Sequence, residues 1–104
     1  VIVGGPDEIA LAAEIADGTG AKSIAGETSF VEIATLARAA AGAIGNDTGP
    51  MHIAAISGCP SVVLFSEESD PAITAPRGDD VQVLRREKLA DLHVSEVAEA
   101  LSLR

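Results

Sequence analysis

The chain has 104 residues and a formal net charge of −9; 47% of its residues are hydrophobic, yet it holds no Trp or Tyr. That length suits one compact domain, with a core built from small aliphatic side chains. Only seven Lys and Arg exclude a broad nucleic-acid or anionic-membrane surface, so any anionic ligand must be gripped locally.

VIVGG at the N-terminus predicts a short β-branched strand ending in glycine. PDEIALAAEIADG then reads as a helix, with Pro6 at its first position, Asp7 and Glu8 near the positive end of its dipole, and Gly18 as its stop. The chain starts without Met and inside a strand, as expected of a piece of something longer. Residues 22 to 25 predict a weak second strand. Ser29 with Glu32 three residues later matches a capping box, so a helix should begin there and carry Ile33, Leu36, Ala37 and Ala40 on one apolar face.

Gly42 separates that helix from a third strand, Ala43 to Gly45. After GNDTGPMH comes a short helix, HIAAISG, ended by Gly58, and then SVVLF, a continuous apolar run of the kind buried on both faces of a parallel sheet. Cys59, in SGCPSVVLF, is the single cysteine. It excludes an internal disulfide and reads as a small buried side chain, with a reducing compartment as the simpler setting.

A polar loop, SEESDPAITAPRGDD, leads to a last strand, Val81 to Leu84, and a terminal helix, Val94 to Leu103, with Ser95 as its cap. Strands alternating with helices predict a Rossmann-like α/β fold, a parallel sheet with helices on both faces, in one domain over residues 1–104. No apolar stretch is long enough to span a bilayer, and the N-terminus has no basic region followed by an uninterrupted hydrophobic segment, so export is not expected.

In such a sheet, ligands bind beyond the carboxyl ends of the strands, and GNDTGPMH occupies one of those loops. Proline favours the first helical position, which makes Gly49 the expected cap. Glycine has no side-chain oxygen for the first-turn N–H groups of Met51, His52 and Ile53, so that turn is a socket for an anion. Asp47 would repel a phosphate and is expected to hold a sugar hydroxyl, a local N–H or His52. Each of these residue types is also an ordinary helix-start residue, and composition alone does not separate the two roles.

The order of the residues adds more. Asp47-Thr48-Gly49 with His52, then Gly58-Cys59-Pro60, Phe65, Asp70-Pro71, Pro76 and Gly78 resemble the signature region of glycosyltransferase family 9, the ADP-heptose:lipopolysaccharide heptosyltransferases and their relatives. VGGPDE and AGETSFVEIATLARAA stand upstream in the same order, so the likeness covers nearly the whole chain.

The resemblance implies the C-terminal, donor-binding half of a GT-B architecture, in which two Rossmann-like domains face each other. It implies donor contacts from Thr48, Gly49, Pro50, Met51 and His52, with Asp47 nearby, and Glu8 on the donor ribose. Pro50 has no N–H to give, so its neighbours must supply the phosphate donors. Thr28 and Ser29 fall where the family places residues near the adenine. Asp70 and Arg77 read as a solvated turn or as donor-side contacts.

The implied reaction is inverting transfer of a heptose-like sugar from a nucleotide diphosphate sugar, ADP-heptose in the family, to a lipid-linked saccharide. No cofactor and no metal are expected, and the general base belongs to the N-terminal half, so no catalytic residue is expected in this chain and the segment alone should be inactive. The implied location is the cytoplasm, with peripheral contact at the inner face of the cytoplasmic membrane. Two other readings stay open: a stand-alone nucleotide-binding or degenerate module, and a nucleotide-sugar epimerase of similar shape.

Overall fold

The computed structural model describes residues 1–66, 78, 80–101 and 103. Three parallel strands, β1 (Ala43–Asn46), β2 (Ser61–Phe65) and β3 (Val81–Arg85), form one sheet in the order β1-β2-β3, with Gly45 opposite Val63 and Val63 opposite Val83. The helices are α1 (Ile9–Ala16), entered through a 3-10 turn at Pro6–Glu8, α2 (Phe30–Ala39), α3 (Gly49–Ile56) and α4 (Val94–Ala100). The two N-terminal strands expected from the sequence are reduced to one parallel bridge, Ile2 to Ser23. Two short segments paired only with each other are marginally stable, and among the described residues no third strand lies beside this pair.

SVVLF is buried as its unbroken apolarity predicts: Val62, Val63 and Phe65 are each 1% exposed or less. Met51 of α3 packs with Val63 and Phe65, and Ala54 of α3 packs with Ala37 of α2 and with Cys59. Small side chains therefore let α2 and α3 approach closely. Cys59 is the buried small residue expected, 1% exposed.

Two glycines set how close α3 lies to its neighbours. A Cβ at Gly45 would stand 2.8 Å from Met51 Cγ and Sδ, so the bare β1 backbone is what seats Met51 on the strand. A Cβ at Gly78 would come within 2.3 Å of the Ala55 carbonyl oxygen, so backbone meets backbone at the far end of the same helix.

The expected capping box is formed. Ser29 Oγ accepts from the Glu32 N–H at 3.2 Å, and the Ser29 N–H donates to Glu32 Oε1 at 3.0 Å. Ser29→Ala should therefore lower stability by about 1 kcal/mol, read as a lower urea midpoint with unchanged m-value. The terminal helix differs from expectation. It begins at Val94 with His93, not Ser95, as its cap residue, and ends at Ala100 rather than Leu103. The His93 N–H donates to Glu96 Oε2 at 2.9 Å, and Glu96 also pairs with Arg86 just after β3, which anchors the start of α4 two residues earlier than a Ser95 cap would.

Both capping carboxylates ionise below the usual range: Glu32 through the Ser29 N–H and then its hydroxyl, Glu96 first through the His93 N–H and then through Arg86. A depressed folded-state value means stability that is present above the ordinary glutamate range, near 4.5, and is lost as pH falls through the folded values. Thermal midpoints should therefore be flat near neutrality and fall on acidification below that range. Glu32→Gln should flatten part of that fall.

Candidate functional site

The segment after β1 turns straight into α3, and its first turn lies at the carboxyl end of the sheet. The cap residue is Thr48, in extended backbone at φ −136°, ψ 164°, with Gly49 and Pro50 as the first two helical residues. The expected cap, Gly49, is thus displaced by one position. Gly49 takes up helical geometry itself, and Pro50 is equally well accommodated one residue later, where its missing N–H is still one of the unbonded four.

The Thr48 hydroxyl makes no capping bond. The His52 N–H donates to the Thr48 carbonyl at 3.1 Å, which removes it from the set of free donors, and Ile53 lies beyond the first turn. Gly49 and Met51 are left: their N–H groups meet no acceptor among the described residues. The socket is therefore two amides and an exposed threonine hydroxyl. Partial positive charge at a helix start favours an anion in this position.

A Cβ placed on Gly49 would meet nothing nearer than the Phe30 ring, at 3.9 Å. Packing therefore does not require glycine here, in contrast to Gly45 and Gly78. The bare backbone at Gly49 lets a ligand approach closely.

Asp47 and His52 form one unit. His52 Nε2 lies 2.9 Å from Asp47 Oδ1, with the Asp47 side chain 15% exposed and that of His52 44% exposed. With Asp47 ionised, Nε2 carries the hydrogen and donates it, which fixes the ring and leaves Nδ1 for a further partner. Of the three roles expected for Asp47, holding His52 is the one it fills.

Glu8 reaches back to its own turn, where the Gly5 N–H donates to Glu8 Oε1 at 3.0 Å. It nevertheless lines the same cavity, about 630 Å³, as Thr48, Pro50 and Met51. Gly4, two residues past the Ile2 bridge, and Asn46, the last residue of β1, line it as well, so both segments converge on one opening.

Thr28 and Ser29 do not line that cavity. Ser29 is engaged as a cap, while the Thr28 hydroxyl oxygen is buried with no hydrogen-bond partner. The loop they occupy spans from Gly26, against Pro6 and Ile9, to Phe30, against Gly49, which places it alongside both predicted contact regions. Asp70, Pro71, Pro76 and Arg77 lie outside the described residues.

Sequence reasoning missed Asn46 and Phe30. An exposed aromatic at the first position of a helix, 67% exposed, was the available signal for the second. Among the described residues no group of three or more His, Cys, Asp and Glu side chains comes together as a metal site, and no helix is long and apolar enough to cross a membrane.

A parallel α/β layer whose carboxyl end presents an uncapped helix start is the arrangement of anion- and nucleotide-binding domains. The family model for glycosyltransferase family 9 (heptosyltransferase) matches residues 1–101. This chain belongs to that family. Among solved structures it is similar to a glycosyl transferase family 9 protein from Veillonella parvula DSM 2008, with 25% identity and a TM-score of 0.70 over 91% of this chain. The chain spans 27% of the length of that protein. No curated protein matches it.

Proposed function

We propose that this chain is the donor-binding part of a glycosyltransferase that moves a heptose-like sugar from a nucleotide diphosphate sugar, ADP-heptose by family likeness, to a lipopolysaccharide-type acceptor. The observation that carries this reading is the start of α3, where the Gly49 and Met51 amides and the Thr48 hydroxyl are unengaged beside an open approach. These groups bind the diphosphate. As the bond to the sugar breaks, negative charge grows on the departing nucleotide diphosphate, and fixed donors stabilise that charge without reorganising. Transfer inverts the anomeric carbon and uses no metal.

Glu8 keeps one carboxylate oxygen for the ribose while the other holds the Gly5 N–H. His52, oriented by Asp47, presents its second nitrogen toward the donor. Thr28 and Ser29 border the adenine, and the unpartnered Thr28 hydroxyl is the better donor-side candidate of the two. The acceptor and the general base that deprotonates its hydroxyl belong to polypeptide outside these residues, so the segment alone binds donor and transfers nothing. The setting is the cytoplasmic face of the membrane that carries the acceptor.

Isothermal titration with ADP, AMP and adenosine tests the reading. ADP should bind at least about tenfold more tightly than AMP, because the second phosphate adds charge-assisted bonds of about 1.5–3 kcal/mol. Equal binding of all three, or no ADP binding at millimolar concentration, contradicts it.

A further inference from the structure

α2 opens on an aromatic side chain that neither its cap nor its buried face requires. Ser29 and Glu32 close the capping box between themselves, and the buried residues of the helix are Ile33 and Ala37. Phe30, at the first helical position, belongs to neither group and stays 67% exposed. Phenylalanine is only a middling helix former, so propensity gives no reason for it there. A single exposed apolar residue is ordinary. What sets this one apart is its position.

The tip of the ring, Cζ and Cε1, lies 3.9 and 4.0 Å from where a Cβ of Gly49 would sit. No other atom of the ring comes within 4 Å of that point, so the contact is made by the tip and the faces of the ring stay open, as its exposure requires. Gly49 carries one of the two free amides at the start of α3. The loop that leads to Phe30 begins at Gly26, against Pro6 and Ile9, beside the turn that holds Glu8. Between these ends stands Thr28, whose hydroxyl oxygen is buried without a hydrogen-bond partner. Leaving such a group unpaired is costly, and a polar edge brought to this loop would supply the missing bond.

We propose that Phe30 is the stacking platform for the nucleotide base and that it makes the site select a purine over a pyrimidine. The inference rests on the donor reading and deepens it. With the diphosphate on the Gly49 and Met51 amides and the ribose on Glu8, the base lies over the segment between these anchors, which is residues 26–30. A phenyl ring offers no hydrogen bond, so it reads a flat face and the area of that face. Every base has such a face, which makes stacking tolerant of base identity and leaves the larger purine the advantage. Covering the exposed ring also removes its apolar surface from water. The transferred sugar, at the far end of the diphosphate, is the competing occupant, and ADP carries no such sugar.

The chain has no Trp, so Phe30→Trp installs a single indole whose fluorescence reports on this face directly. ADP should quench that fluorescence in step with the calorimetric isotherm, and inorganic pyrophosphate should leave it unchanged. By calorimetry, Phe30→Ala should weaken ADP about tenfold and leave pyrophosphate within about twofold of the unaltered chain, because an aromatic platform contributes to the base alone. UDP should bind the unaltered chain about threefold or more weakly than ADP, and that gap should close in Phe30→Ala. Both variants should melt with the unaltered chain, since the side chain they replace is exposed. The Trp variant keeps an aromatic ring and reads binding in its own signal, so it decides the matter should Phe30→Ala fail to fold.

An indole that does not respond while calorimetry shows ADP bound overturns this inference alone, and assigns the ring to the sugar or to solvent. Unchanged ADP binding in Phe30→Ala does the same. Equal weakening of ADP and pyrophosphate also overturns it, because the ring then acts through Gly49 and not through the base. Equal affinity of the unaltered chain for ADP and UDP removes the purine preference. Binding of neither ADP nor pyrophosphate by the unaltered chain overturns the donor reading, and this inference with it.

Discussion

Gly49→Val should abolish measurable ADP binding while leaving the fold intact. The residue has no positive φ that would demand glycine, and a Cβ meets only the Phe30 ring at 3.9 Å. Replacing glycine in a helix by alanine gains up to about 1 kcal/mol of stability, so Gly49→Ala should melt at the same temperature as the unchanged chain or slightly above it. What the new carbon removes is access. A phosphate oxygen must approach the Gly49 amide within hydrogen-bonding distance, and losing that charge-assisted bond weakens binding about tenfold for Ala and a hundredfold or more for the branched Val. A calorimetric titration beside a melting curve separates the two effects. Loss of binding together with loss of fold would show that the glycine serves packing, and full binding by the Val variant would move the diphosphate elsewhere.

Gly78→Ala should do the opposite, lowering stability with no direct effect on the donor site. Its added carbon would sit 2.3 Å from the Ala55 carbonyl oxygen, a backbone atom at the end of α3 that cannot swing aside. Overpacking of this kind costs about 1–3 kcal/mol, which in a domain of this size lowers the melting midpoint by about 4–8 °C per kcal/mol. Gly5→Ala is the control, since its carbon comes no closer than 3.8 Å to the end of the Glu8 side chain. Equal midpoints for the two variants would mean that Gly78 does not lie against α3.

The two glycines show what a sequence reveals and what it hides. Both belong to the motif that carries the family likeness, yet nothing in the letters says that one is small for the sake of a ligand and the other for the sake of a helix. Only the distance to the nearest neighbour separates them. Local signals fared better where the physics is local: the Ser29 and Glu32 box, the buried run at Val62 to Phe65 and the buried Cys59 depend on residues a few positions apart. The N-terminal strands did not form as read because β-branched composition gives only a tendency, while a strand depends on the packing and pairing around it. The cap slipped from Gly49 to Thr48 because proline is tolerated at more than one position of the first turn, and the preference for its first position decided the reading. The Asp47 and His52 pair was legible only as one of three options, since a five-residue separation does not fix which way either side chain turns.

The most direct measurement is an amide NMR titration of the 104-residue protein with ADP. The Gly49 and Met51 N–H signals should shift furthest, with Thr48 beside them, and the shifts should saturate together with the calorimetric isotherm. Shifts clustered away from the start of α3, with Gly49 and Met51 unmoved at saturation, would contradict the assignment of the diphosphate to these amides.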